Sequence, residues 1–236
     1  HDYRTFLETY RLAREAGFRN INIDLMAALP EQSVDSYRET LRRAAALMPE
    51  HISAYSLILE EGTPLYEKRQ ACRFPTEEED REMYLLTDAY LSACGYHRYE
   101  ISNYAREGYE CRHNKVYWQR GDYVGFGLGA SSMVQNVRWK NPEDHKAYMA
   151  GVGAQEVQTL TVQEQMEEFM FLGLRLTEGV DLDEFALCFG KTAEEGYGKQ
   201  IRAFEEQRLL ERRGRRLRLT PRGVDVSNVV FAAFLF

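Results

Sequence analysis

GFRNINIDLMAALPEQSVDSYRETL, residues 17–41, decides the fold. Within it NINIDLM, Asn20 to Met26, alternates polar and apolar side chains as a half-exposed strand does. Gly17, just ahead of the strand, supplies a left-handed stop for a helix that Asp2 caps and whose apolar face is Tyr3, Leu7, Tyr10 and Ala13. Pro30 closes the strand region, and Ser33 or Ser36 starts a second helix with Tyr37, Leu41, Ala44 and Leu47 inward. Pro49 stops that helix. A second strand, HISAYSLIL (51–59), runs into a turn over Glu61, Gly62, Thr63 and Pro64. Thr76 and Glu79 form a capping box ahead of a long helix carrying Met83, Leu86, Ala89, Tyr90 and Ala93. Gly95 ends this helix, and HRYEIS (97–102) reads as a third strand.

Three strands about 30 residues apart with a helix in each gap have the rhythm of a parallel sheet. Such sheets carry ligand-binding groups at the C-terminal ends of their strands. A closed eight-stranded α/β barrel takes about 250 residues, whereas this pattern occupies about 105. The expected class is therefore α/β, with residues 1–105 forming the second half of a (β/α) barrel. Residues 106–154 lose periodicity and turn rich in Gly, Tyr, Trp and Asn, which predicts a loop-rich connector. Residues 155–236 read as a mostly helical domain, with helices over 163–176, 183–189, 194–207 and after Pro221. Its hairpin LLERRGRRLRLT (209–220), turning at Gly214, makes it resemble a winged-helix module.

Composition narrows the function. The chain has 236 residues, 44% hydrophobic and 28% charged, with 17 Gly and 6 Pro, which excludes disordered and fibrous classes. The longest apolar run, Val229 to Phe236, has eight residues where a membrane-spanning helix needs about 20. That run reads as a docked core helix or a partner surface. The net charge of −7 argues against nucleic acid or anionic lipid as partners. Locally, Glu205 to Arg222 holds seven Arg and three Glu, yet no aromatics interleave, so a solvated wing is expected. Cys72, Cys94, Cys111 and Cys188 have no C-x-x-C spacing and are too few for a disulfide scaffold, as in a cytoplasmic protein with free thiols. The chain opens on His1 with no apolar signal segment and reads as the C-terminal part of a longer protein.

Three places can carry chemistry. Asp24 lies in an otherwise apolar strand near its C-terminal end, where a carboxylate either bonds backbone amides or holds ribose hydroxyls. GFGLGA (125–130) allows close backbone approach to a ligand, or is a plain tight turn; its G-x-G-x-G spacing is not a dinucleotide fingerprint. HNKVYW (113–118) gathers an imidazole, an amide and two aromatics, suited to iron ligation and stacking on a planar macrocycle, or to a structural loop.

As a set, residues 17–41, PEHISAYSLILEEGTPLY (49–66) and GYHRYEISNYAREGYECRHNKVYWQRGDYVGFGLGASSM (95–133) closely resemble the radical S-adenosylmethionine haem-chaperone family, HemW. Its sister is the oxygen-independent coproporphyrinogen III oxidase, HemN. The resemblance implies a partial (β/α) barrel joined to a HemN-type C-terminal domain. It implies that Asp24 contacts the ribose of S-adenosylmethionine and that Ile58 and Ser131 also touch it, although Ser131 and Met133 stand where His and an aromatic are common. HNKVYW matches the family's H-N-x-x-Y-W signature. That implies haem binding by His113, Asn114, Tyr117 and Trp118, with His113 as haem-iron ligand and the two aromatics as pocket walls. The family's C-x-x-x-C-x-x-C motif for a four-iron four-sulfur cluster is absent, and the four cysteines cannot replace it. Residues of this chain are thus expected to hold no cluster metal and to be unable, alone, to cleave S-adenosylmethionine.

The implied function is haem binding and delivery to acceptor proteins. The alternative, oxidative decarboxylation of coproporphyrinogen III in porphyrin biosynthesis, is disfavoured by HNKVYW; a winged-helix nucleic-acid module comes third. Open strand edges make a homodimer an expectation.

Overall fold

The computed structural model describes residues 2–235. His1 and Phe236, the last residue of the terminal apolar run, lie outside the described residues. The chain divides into two compact units, His1–Cys111 and Arg112–Phe236.

The first unit opens on helix α1 (Tyr3–Glu15), whose first turn is capped by the Asp2 carboxylate accepting from the Thr5 amide at 2.8 Å. Gly17 follows with φ +94°, the left-handed stop its position requires. Strand β1 (Asn22–Ala27), helix α2 (Val34–Ala46) and strand β2 (His51–Ser56) come next, and β1 and β2 pair in parallel with Asp24 opposite Ser53. Ser33 caps α2, and Thr76 and Glu79 form the expected capping box on α4 (Glu77–Ala93). A short helix α3 (Pro64–Glu67) and a 3-10 turn (Arg69–Ala71) lie between β2 and α4. Strands β3 (His97–Glu100) and β4 (Asn103–Ala105) close the unit.

The α/β half-barrel class holds, with one change in the order of strands. The third strand was expected in a parallel run, but the sheet order is β1-β2-β4-β3, with β4 antiparallel to both neighbours. The chain reverses tightly after Glu100, whose carboxylate accepts the Ser102 amide at 2.8 Å. A strand of three residues is too short to register as a period, so Asn103 to Ala105 shows no alternation to read.

One face of this sheet is covered and one is open. Ile23, Leu25 and Ala27 alternate inward with Ile52 and Ala54, and Tyr37, Leu41, Met83 and Leu91 from α2 and α4 pack on them. The Tyr37 hydroxyl bonds the buried Thr87 hydroxyl at 2.9 Å, tying α2 to α4. Ala89 and Ala93, expected on the inner face of α4, are exposed. Arg14, Tyr10 and Glu50 fix α1: Arg14 Nη2 contacts Glu50 at 2.9 Å and the Tyr10 hydroxyl at 2.7 Å, and Tyr10 donates to the Leu47 carbonyl.

The second unit begins with α5 (Arg112–Trp118), inside the segment expected to be loop-rich. Strands β5 (Ser131–Val134), β6 (Val137–Lys140) and β7 (Gln155–Thr159) form an antiparallel sheet, with α6 (His145–Met149) between the last two. Gln135 and Asn136, both with positive φ, make the two-residue turn between β5 and β6, so SSMVQNVRW (131–139) folds as a hairpin. Helix α7 (Val162–Gly173) leads to β8 (Val180–Asp181), α8 (Leu182–Phe189) and α9 (Ala193–Glu206). The basic hairpin, β9 (Leu210–Arg213) and β10 (Arg216–Leu219), turns at Gly214 as expected and pairs with β8 in the order β8-β10-β9. Helices α10 (Pro221–Asp225) and α11 (Ser227–Ala232) follow, and Val230 and Phe234 are buried against Met166, Phe185, Tyr197 and Phe204.

Candidate functional site

Alternation along β1 puts Asn22, Asp24 and Met26 on the open face of the sheet. Asp24 is therefore exposed, not enclosed by apolar neighbours as its flanking residues led us to expect. Asn22 donates from Nδ2 to Asp24 Oδ1 at 2.6 Å, which leaves its own Oδ1 as an acceptor for Ser53 Oγ at 3.3 Å and His51 Nδ1 at 2.6 Å. An amide oxygen can only accept, so His51 carries its proton on Nδ1 and Nε2 accepts from the Tyr99 hydroxyl at 2.9 Å. Tyr99 in turn accepts the Cys111 amide at 3.4 Å. Burial pushes the His51 pKa below its ordinary value despite the opposing charge of Asp24, so the ring is neutral near pH 7. The chain of bonds fixes a carboxylate at the surface, where it can accept from two adjacent sugar hydroxyls.

Ile58 lies two residues beyond the end of β2 and is 80% exposed. Its segment is still held to the sheet, because the Leu57 amide bonds the Ala27 carbonyl at 2.9 Å.

In the second unit, GFGLGA packs on its own hairpin. A Cβ at Gly125 would stand 2.3 Å from the Ser131 carbonyl oxygen. The Gly125 amide donates to the buried Ser132 hydroxyl at 2.9 Å, and Asn141 Nδ2 donates to the Gly125 and Gly127 carbonyls at 3.2 and 3.0 Å. Ser131 is exposed at the start of β5, while Val124, Phe126 and Leu128 project outward from the loop.

HNKVYW lies on α5, and the helix divides its residues. His113 and Tyr117, four apart, share one face: Tyr117 Oη is 3.0 Å from His113 Nε2, and the rings meet edge to face at 4.8 Å. Tyr123, unmarked in the sequence, packs edge to face on Tyr117 at 4.6 Å. Asn114 is half-buried on the same helix. Trp118, five residues from His113, points elsewhere. Its ring stacks under the Arg175 guanidinium at 4.3 Å, and its indole Nε1 is buried with no hydrogen-bond partner. It lines a cavity of about 240 Å³ with Phe169, Leu176, Asp181 and Arg216, below the roughly 300–1,000 Å³ typical of small-molecule sites.

Among the described residues no three His, Cys, Asp or Glu side chains are grouped to hold a metal, and no helix is long and apolar enough to cross a membrane. The four cysteines are unpaired.

Residues 160–226 match the HemN C-terminal domain family. The fold superposes on that of coproporphyrinogen III oxidase (HemN) from Escherichia coli, a radical SAM enzyme, with a TM-score of 0.81 over 99% of this chain and 59% of that one. At 18% identity that likeness defines the fold alone: a HemN-type α/β protein. The sequence goes further. The chain is 36% identical over its whole length to heme chaperone HemW of Bacillus subtilis, and 35% identical over 94% of its length to heme chaperone HemW of Lactococcus lactis. By sequence it is similar along its length to HemW haem chaperones. It spans 64% and 60% of the length of those two relatives.

Proposed function

We propose that the protein carrying this chain binds haem and hands it to acceptor proteins in the cytoplasm. The observation that carries this reading is the accessible His113–Tyr117 pair on α5, two side chains of kinds that can ligate iron, 3.0 Å apart within HNKVYW. In a chain similar from end to end to part of a haem chaperone, that pair is the natural place for the cargo iron, with Asn114 beside it. Trp118 contributes by bracing α5 against Arg175.

S-adenosylmethionine belongs to the same proposal. The Asp24 carboxylate, fixed by Asn22, fits a ribose diol, and Ile58 of the same unit would add a contact. The cofactor, when bound beside a four-iron four-sulfur cluster, supplies radical chemistry. The described residues offer no ligand set for that cluster, so no step through it is assigned to them.

Titration of the full-length protein with ferric haem, followed by Soret absorbance, tests the reading. Saturable binding that weakens on replacing both His113 and Tyr117 supports it. Haem binding unaffected by that double replacement would remove α5 from the site. Anaerobic conversion of coproporphyrinogen III by the reconstituted protein would favour the oxidase alternative. For the cofactor, Asp24→Ala should lower S-adenosylmethionine affinity by calorimetry.

A further inference from the structure

We propose that His51 is a positioning residue of the cofactor site: its Nδ1–H selects which end of the Asn22 amide faces Asp24, and so fixes the carboxylate that meets the ribose. This rests on the S-adenosylmethionine reading of Asp24 above and names what holds that carboxylate.

Asn22 and Asp24 both lie exposed on the open face of β1. A surface amide turns end for end at little cost, because water can serve its oxygen and its nitrogen alike. At Asn22 the two ends are not equivalent. With Nδ2 toward Asp24 the amide donates to Oδ1 at 2.6 Å; turned over, it would set its own oxygen against a carboxylate, acceptor against acceptor. The parallel register puts His51 directly opposite, where Nδ1 donates to Asn22 Oδ1 at 2.6 Å. Turned over, the amide would meet that N–H donor against donor. Ser53 Oγ supports the same orientation from a longer 3.3 Å.

The ring that makes this choice is itself held. His51 is 4% exposed, its Nε2 accepts from the Tyr99 hydroxyl at 2.9 Å, and the two rings meet edge to face at 5.6 Å. Tyr99 is buried as well. A fixed interior group thus sets the orientation of a surface amide that would otherwise be free to turn.

What a ligand meets is a carboxylate already aimed. Asp24 Oδ1 is tied on one side by Asn22, and Oδ2 has no hydrogen-bond partner among the described residues. Two adjacent sugar hydroxyls donate to one carboxylate together only if its plane suits both. Fixing that plane in advance removes part of the ordering cost of binding.

Calorimetric titration of S-adenosylmethionine into the full-length protein, its cluster reconstituted, tests the assignment. His51→Leu keeps most of the side-chain volume and removes the donor; it should weaken binding by roughly 3- to 10-fold, the range of one hydrogen bond. His51→Asn, whose Nδ2 branches from Cγ as the imidazole Nδ1 does, should recover most of that loss. In an Asn22→Ala background His51→Leu should cost nothing further, because its effect passes through Asn22. Wild-type affinity in His51→Leu overturns the proposal, and so does a loss that persists in full in His51→Asn or in the Asn22→Ala background, since either marks a packing role. Should His51→Leu fail to fold, Asn22→Ala at the exposed surface carries the test: it should weaken binding at least as much, and unchanged affinity there overturns the proposal. Asp24→Ala separates the two readings. Unchanged affinity in that variant removes the cofactor reading and this one with it, whereas a loss there with none in His51→Leu removes His51 alone.

Discussion

His51 Nδ1 lies 2.6 Å from Asn22 Oδ1, and the ring is buried on the sheet with its other nitrogen on Tyr99. Burial lowers the His51 pKa below 6.5, its ordinary value, against the smaller opposing pull of Asp24. Below that value the unfolded chain binds more protons than the folded one, so stability is complete above about pH 6.5 and is lost as pH falls through the folded pKa. The urea midpoint should therefore decline as pH drops from about 7 to about 5. In His51→Gln that decline should be shallower. Parallel curves for the two proteins would refute the account.

Glu168 is held between two guanidiniums, Arg120 at 3.0 Å and Arg138 at 2.7 Å, and the Arg120 and Glu168 side chains are only 10% and 9% exposed. Removing one member of a buried ion pair leaves an uncompensated charge, at a cost of about 3–5 kcal/mol. Arg120→Met leaves Glu168 with Arg138, the more exposed of its two partners, so its cost in denaturant unfolding should fall below that range. The double variant Arg120→Met, Glu168→Leu should lose less than the two single variants summed, because it leaves no buried carboxylate behind. Simple additivity would place the pair outside the core of the unit.

Much of the half-barrel was legible because its signals are local. Ser33, Thr76 with Glu79, Gly17 and Gly214 each announce a cap or turn within a few residues, and each stands where the sequence put it. The open-face network was half legible: a period of two places Asn22 beside Asp24, but only the parallel register brings His51 opposite Asn22. The division of HNKVYW was hidden for a different reason. Read as loop, residues 113–118 have no faces; on a helix, a spacing of four joins His113 to Tyr117 while a spacing of five sends Trp118 to Arg175.

Gly179 has φ +72°, and a Cβ there would stand 2.1 Å from the Leu217 carbonyl oxygen and 2.6 Å from Arg218 Cβ. Gly214 also has positive φ, +59°, but nothing lies within 4 Å of its Cβ position. Alanine at 214 should thus cost only the left-handed backbone, about 1 kcal/mol. Alanine at 179 adds overpacking against β10 and should cost about 2–4 kcal/mol in all. Equal unfolding midpoints for Gly179→Ala and Gly214→Ala would show that the β8–β10 contact is looser than the structure has it.

The arginine-rich hairpin carries its own counterions. Arg212 pairs with Glu205 at 2.8 Å and Glu194 at 2.5 Å, Arg213 and Arg218 share Glu211, and Arg215 lies 2.8 Å from the Asp181 carboxylate. Phosphates would have to displace these carboxylates, in a chain whose net charge is −7. Duplex DNA should show no saturable binding to the protein at physiological salt by fluorescence anisotropy. Replacing Glu211 and Glu194 with Gln releases Arg212, Arg213 and Arg218 from part of that pairing, and should raise DNA affinity at low salt. A wild-type protein that binds DNA with a salt slope of about −4 or steeper would mean four or more phosphates reach those arginines, and the hairpin would then be a nucleic-acid surface rather than a solvated wing.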